Sequence, residues 1–196
     1  GALINNAGLL CEALHITEDG FELTFAVNTM APFLLTHLLW PQLVASGDGR
    51  VVNVVSLSYR HGRIDFDDLP GTRDFQRYGA YARSKLALLL MTRELARRAG
   101  QQPVAVNAVH PGVIGTALGE GGLITSLMKF ARPLLKSPKQ GAKGLVYLAL
   151  DADPGLRGQY LVGPAPRPVA AVGRDDETAR RLYDELARAL RGGSAL

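Results

Sequence analysis

Two residues in the stretch Tyr78-Gly-Ala-Tyr-Ala-Arg-Ser-Lys85 can do proton chemistry together. Tyr81 and Lys85 are four apart at the head of an apolar-periodic run, and positions i and i+4 share one face of a helix. A fixed ammonium beside a phenol stabilises the phenolate and lowers the phenol's pKa. A phenol tuned in that way passes a proton to or from a substrate oxygen near neutral pH. The same spacing also describes an ordinary solvated pair, so its meaning depends on what else the chain brings. Ser56 offers a hydroxyl at the end of an apolar run. Asn28 interrupts an apolar helical face; it is either a core amide bonded to a helix carbonyl or the holder of a positioned water. His110, before a proline at the end of another apolar run, reads as structural rather than as an acid or base.

The elements that must carry these groups alternate. Ala2-Leu3-Ile4 reads as a short buried strand running into the turn Asn5-Asn6-Ala7-Gly8, where small residues let a flat ligand or another backbone come close. Thr17 is the expected N-cap of a helix running through Phe21, Phe25, Val27, Phe33, Leu34, Leu38 and Leu39, with a kink at Pro32. Arg50-Val-Val-Asn-Val-Val-Ser56 has the β-branched density of a parallel strand covered on both faces, and ligands sit beyond the carboxyl ends of such strands. Residues 59–77 are read as an irregular connection whose acidic run, Ile64-Asp-Phe-Asp-Asp-Leu69, is a solvated loop and not a metal site.

Tyr81 to Arg98 is the strongest predicted helix, closed by Gly100. Val104 to Val109 is another short buried strand. Residues 123–136 form an amphipathic stretch with Lys129, Arg132 and Lys136 at helical spacing, read as the lid of an apolar pocket in preference to a peripheral membrane contact. A helix over 140–150, a strand over 158–162, a Pro/Ala/Gly loop over 163–173 and a charged surface helix over 175–191, with Asp176–Arg180 and Asp184–Arg188 pairs, complete the chain.

Composition narrows the class. The chain has 196 residues, 47% of them hydrophobic, which is enough for one ordinary core. Its net charge of +4 comes from scattered Lys and Arg with no basic block, so a nucleic-acid partner is not expected. Cys11 is the single cysteine and fits a reducing compartment. No apolar run approaches a membrane span and no leader is visible, so the expected location is cytoplasmic.

Strand and helix alternation argues for an α/β, doubly wound parallel sheet, and here the residues resemble a known family. The chain resembles the short-chain dehydrogenase/reductase family, which is Rossmann-like. Asn5-Asn-Ala-Gly8 is similar to its strand-end motif. Asn28, Ser56, Tyr81 and Lys85 match its catalytic tetrad in order and approximate spacing. Pro111-Gly112 with Ile114 and Thr116 matches its cofactor-contacting loop. Glu18-Asp-Gly-Phe-Glu, Phe33-Leu-Leu-Thr-His-Leu-Leu39 and Ile64-Asp-Phe-Asp-Asp-Leu69 are most similar to its retinol-dehydrogenase-like branch. Two departures stand out: Val55 precedes Ser56 where the family often has a second serine, and Gly115 stands where the branch often has a basic residue.

The resemblance implies hydride transfer between a nicotinamide cofactor, NADP in preference to NAD, and a lipophilic, retinol-like alcohol or carbonyl. Tyr81 would be the acid/base group, Lys85 would lower its pKa and bond the nicotinamide ribose, and Ser56 would bond the substrate oxygen. Asn28 would hold a water linking Lys85 to solvent. Asn6, Ala7, Gly8, Tyr81, Lys85, Pro111, Gly112, Ile114 and Thr116 would contact the cofactor. No metal is implied. The helices placed at 21–44 and 81–98 would be the surfaces of a possible homodimer.

The family's glycine-rich phosphate-binding turn does not occur in these residues. The expectation is therefore one N-terminally incomplete domain over 1–196, contributing strands four to seven of the family's order. By itself it would bind dinucleotide poorly. The alternative is a non-catalytic module that keeps the scaffold for binding or regulation.

Overall fold

The computed structural model describes residues 1–112 and 137–192. Ile114, Thr116 and the amphipathic stretch 123–136 lie outside the described residues. Five strands form one sheet in the order β1 (Ala2–Asn5), β2 (Gly49–Val54), β3 (Val104–His110), β4 (Tyr160–Val162), β5 (Ala165–Pro166). The first four are parallel, in register Asn5↔Asn53, Val54↔Val109 and Val109↔Leu161. β5, a short antiparallel return, lies within the 163–173 stretch expected to be loop. Val51, Val52, Val104, Val106 and Val109 are almost fully buried, as expected for strands covered on both faces. β1 forms the edge, and its Ile4 is 42% exposed.

The predicted first helix is three pieces. α1 (Leu23–Phe25) leads through a π-helical turn at Ala26–Met30 into α2 (Ala31–Leu38), and α3 (Trp40–Ala45) follows after a break at Leu39. Thr17 is not the cap. Glu22 is, its carboxylate accepting from Thr24 N (2.7 Å) and Phe25 N (3.0 Å), while Thr17 Oγ1 takes Phe21 N in the preceding turn. A carboxylate reaching two backbone donors of the first turn answers more of the orphaned N–H groups than one threonine does.

α4 (Arg77–Ala99) starts four residues before the predicted helix and runs through the middle of the molecule. Leu86 to Met91 are buried without a break, so the helix is enclosed on nearly every side. One side meets the sheet. Another meets α6 (Asp176–Gly192), whose Ala179, Leu182, Tyr183 and Leu186 are buried. Asp176, Glu177, Arg180, Arg181 and Asp184 stay exposed, so the terminal segment is a surface helix with one apolar face packed on α4. Asp176 pairs across to Arg93 of α4 at 3.0 Å and Asp184 to Arg98 at 2.8 Å, in place of the expected partners Arg180 and Arg188, while Glu185 pairs with Arg188 along its own helix. The far face of the sheet is closed by α5 (Pro138–Val146) and a π-helical turn at Tyr147–Asp151, with Leu148 packed on Val52, Val109 and Leu161. α5 begins with a capping box between Ser137 and Gln140.

Candidate active site

Three elements end at one place. β2 delivers Ser56 two residues past its end, the π-helical turn delivers Asn28, and the second and third turns of α4 deliver Tyr81 and Lys85. Lys85 Nζ donates to Val54 O at 3.1 Å and lies 5.7 Å from the Tyr81 ring centroid. Only 4% of Lys85 is exposed, and among the described residues Val54 O is its one hydrogen-bond acceptor. An ammonium has three donors, so two remain for a ligand. Burial lowers the Lys85 pKa to about 8.

The Tyr81 phenol does not follow the expected sign. Burial raises its pKa above the ordinary value, and hydrogen bonding from Ser56 pulls it only part of the way back. Ser56 Oγ also caps the short 3₁₀ turn Leu57–His61, accepting from Ser58 N at 3.3 Å and lying 3.0 Å from Ser58 Oγ.

Asn28 is fully buried and its amide is engaged. Its Oδ1 accepts from Leu9 N (2.9 Å); its Nδ2 donates to Leu9 O (2.9 Å) and to Ser84 Oγ (3.0 Å), which donates on to Tyr81 O (2.8 Å). The side chain thus ties the loop after β1 to the turn of α4 that carries Tyr81. Asn28 is a buried core amide, as in the first of the two readings, but its partners are Leu9 and the Ser84 hydroxyl and not a helix carbonyl. The π-helical turn explains how a polar side chain reaches out of an apolar helix face, since such turns re-aim one residue.

The predicted cofactor residues divide. Asn6 and Ala7 are exposed on the turn after β1. Gly8 lies against the site: a Cβ there would stand 3.2 Å from both Asn28 Oδ1 and Lys85 Nζ. Pro111 and Gly112 follow β3 at the same sheet edge as Ser56, and Gly112 has φ +92°. His110 is the buried last residue of β3, its carbonyl accepting from Gly163 N at 3.3 Å.

Two supports escaped the sequence reading. A buried polar ladder crosses the sheet. Asn5 Nδ2 donates to Asn53 Oδ1 (2.7 Å) and Thr36 Oγ1 (3.3 Å), and Asn53 Nδ2 donates to Thr92 Oγ1 (2.9 Å). It fixes β1, β2, α2 and α4 relative to one another. The signal was an asparagine inside a β-branched run. The second is Arg83, on the face of α4 away from the site. Its guanidinium lies 5.1 Å from the Phe25 ring centroid and 3.8 Å from Glu22 Oε2. Gly71, at φ +74°, packs so closely on it that a Cβ would collide. The acidic run behaves as a loop: Asp68 accepts from Thr72 N and Arg73 N and closes its own turn. Among the described residues no group of His, Cys, Asp and Glu is placed to hold a metal.

Residues 1–121 match the family model of the short chain dehydrogenases. The chain belongs to the short-chain dehydrogenase family. Human retinol dehydrogenase 13 is 43% identical over 195 residues, covering 95% of this chain and 59% of that protein. Mouse polyprenol dehydrogenase is 42% identical over 193 residues, covering 93% and 58%. The chain therefore spans a little under three-fifths of these relatives. Among solved structures, an uncharacterized protein from Mycobacterium paratuberculosis superposes with a TM-score of 0.69 at 29% identity, covering 95% of this chain and 66% of that one. A 4-hydroxyisoleucine dehydrogenase complexed with NADH gives 0.60 at 27%, covering 82% and 66%. The family, its retinol-dehydrogenase-like branch and the Rossmann-like sheet expected from the motifs are all borne out.

Proposed function

We propose that this short-chain dehydrogenase chain carries the catalytic half of an oxidoreductase that transfers a hydride between a nicotinamide cofactor and a lipophilic alcohol or carbonyl. One observation carries the reading: a lysine with 4% exposure and two unused donors lies beside a buried tyrosine and a strand-end serine. A buried ammonium with unfilled donors is expensive in a purely structural setting. The residues fit a dinucleotide, because Gly8 leaves open the space that a side chain would take from Lys85.

When bound, the nicotinamide supplies the hydride acceptor or donor. Lys85 would hold the adjoining ribose hydroxyls through the donors not used by Val54 O, and Gly8 and the Pro111-Gly112 turn would border the nicotinamide. Tyr81 exchanges the proton of the substrate oxygen, and Ser56 donates a hydrogen bond to that oxygen as charge changes on it. Burial keeps the Tyr81 phenol protonated at rest, which equips it to give a proton, as carbonyl reduction requires. Asn28 and Ser84 hold the turn that carries Tyr81. The lipophilic substrate is supported by the retinol and polyprenol dehydrogenases among the relatives.

The test is Tyr81→Phe in the full-length protein, assayed with retinoid and polyprenoid alcohols and aldehydes, NADP(H) first and NAD(H) second. Turnover should disappear while the melting temperature stays within a few degrees. Turnover at the unsubstituted rate would remove the assignment, and equal rates on polar and lipophilic carbonyls would remove the substrate class. Among the described residues no helix is long and apolar enough to cross a membrane.

A further inference from the structure

Ser56 has one proton to give and several places to send it. A serine oxygen also accepts through two lone pairs. If the proton points back into its own 3₁₀ turn, the substrate oxygen meets a lone pair and not a donor. Something must therefore fix the hydroxyl rotor. In this chain the residue before Ser56 cannot help: Val55 is 2% exposed and packs into the apolar core.

Ser58 is placed to do it. Its backbone N–H reaches Ser56 Oγ at 3.3 Å and its hydroxyl oxygen lies 3.0 Å from the same atom. Among the described residues the Ser58 hydroxyl makes no other hydrogen bond. The 3₁₀ turn at Leu57–His61, with Ser56 as its N-cap, brings both Ser58 groups to Ser56 at once. The turn is itself anchored, since Tyr59 is fully buried and its hydroxyl accepts from Ala170 N at 2.9 Å.

We propose that Ser58 is a positioning residue: its N–H and O–H fill both lone pairs of Ser56 Oγ, so the single Ser56 proton is aimed outward, at the Tyr81 oxygen and at a substrate oxygen beside it. This rests on the proposed hydride-transfer reading. The outward aim agrees with the Ser56 hydrogen bond that opposes the effect of burial on Tyr81. Preorganising a donor before the reaction is worth more than supplying one that must rotate into place. Among the described residues both Ser58 hydrogen bonds at the site go to Ser56, so Ser58 acts through Ser56.

The experiment compares Ser58→Ala, Ser58→Thr, Ser56→Ala and Tyr81→Phe in the full-length protein, by steady-state kinetics across pH with saturating cofactor. Ser58→Ala should lower kcat about three- to tenfold, the size of one neutral hydrogen bond, with the cofactor KM within about twofold. With the Ser56 proton free to turn away, the phenolate loses support. The rising limb of kcat for alcohol oxidation should then move up by about half to one pH unit. Ser58→Thr keeps a hydroxyl and should restore kcat to within about twofold, while Ser56→Ala and Tyr81→Phe should be inactive. A purely structural role would lower the melting temperature without moving the pH limb. If Ser58→Ala leaves kcat and its pH limb unchanged while Ser56→Ala and Tyr81→Phe are dead, the Ser58 role alone is overturned; the same holds if Ser58→Thr is as impaired as Ser58→Ala. If Tyr81→Phe still turns over, the reaction reading falls and the Ser58 role falls with it.

Discussion

Lys85→Met tests the buried cation without any enzyme assay. In the folded chain Lys85 has a pKa of about 8, against 10.5 for a free lysine, because burial disfavours its charge. Between those values the unfolded chain binds more protons than the folded one, so stability rises with pH across that window. At pH ~7 both states are protonated and the fold bears the full penalty, about 3 kcal/mol. At pH ~9.5 the folded lysine is neutral, and the remaining penalty is about 1.4 kcal/mol. Methionine matches the stem of lysine and carries no charge, so Lys85→Met has no such dependence. The unsubstituted protein should therefore gain about 2 kcal/mol relative to Lys85→Met between those two pH values. The Val54 carbonyl loses its partner in the variant, but that loss is common to both conditions and cancels in the difference. Urea unfolding followed by circular dichroism at each pH reads it directly. A difference in stability that stays flat with pH, or that moves the other way, would refute the claim that Lys85 is held as a desolvated cation.

Other perturbations follow from the same geometry. Gly8→Ala forces a Cβ to 3.2 Å from Asn28 Oδ1 and Lys85 Nζ; it should cost about 1–3 kcal/mol and weaken dinucleotide binding in the full-length protein, and unchanged titration isotherms would count against Gly8 bordering the cofactor. Asn53→Ala leaves Asn5 Nδ2 without its 2.7 Å acceptor inside the sheet and should cost about 1–3 kcal/mol, read as a lower urea midpoint; a shift within error would mean that the ladder relaxes freely. Arg98→Ala removes the 2.6 Å hydrogen bond to Glu94 and the 2.8 Å pair with Asp184. Burial pushes the Glu94 carboxyl up, but bonds from Arg97 and Arg98 outweigh it and hold the pKa below the ordinary value. The stability from those bonds is present above the ordinary carboxyl pKa and lost as pH falls through the folded value, so the cost of Arg98→Ala should shrink in acid; an equal cost at pH ~3 and pH ~7 would exclude the charge account. A polypeptide of these 196 residues alone should bind NADP(H) or NAD(H) weakly, because the pattern Thr-Gly-x-x-x-Gly-x-Gly of the phosphate-binding turn does not occur in its sequence; calorimetry giving a micromolar Kd would overturn that.

The strands were legible because their signal is local. The β-branched run at 50–56 can hardly be anything but a covered parallel strand, and it became β2. The breaks in the first helix were harder to see. Pro32 pointed to a kink, but the departure lies before it, at Ala26–Met30, and the helix ends at Leu39. Proline needs no partner N–H and sits comfortably at the start of α2, so it marks where the regular helix resumes. The charge pairs of α6 differ from the expected ones for a related reason. Its Asp and Arg residues have i,i+4 spacing, but Arg93 and Arg98 on α4 lie within 3.0 Å and 2.8 Å and compete for the same carboxylates. Helix-to-helix pairing depends on packing, which residue spacing within one helix does not encode.

The site teaches a sharper version of that point. Spacing correctly placed Tyr81 and Lys85 on one face of α4, with Ser56 and Asn28 brought to them from β2 and the π-helical turn. It gave the wrong sign for the phenol. A neighbouring cation lowers a pKa only to the extent that its field outweighs the loss of water around the phenol. Here Lys85 is itself desolvated and is spent partly on Val54 O, while Tyr81 is enclosed. The group that does lower the Tyr81 pKa is a neutral hydroxyl, Ser56, held by the turn that follows it. Desolvation depends on everything that packs around a residue, from the sheet to the loop at Gly8, and no pair of positions in a sequence carries it. The resting site is therefore one that keeps its proton on Tyr81, with burial setting the direction of the phenol's shift and the Ser56 hydroxyl opposing it.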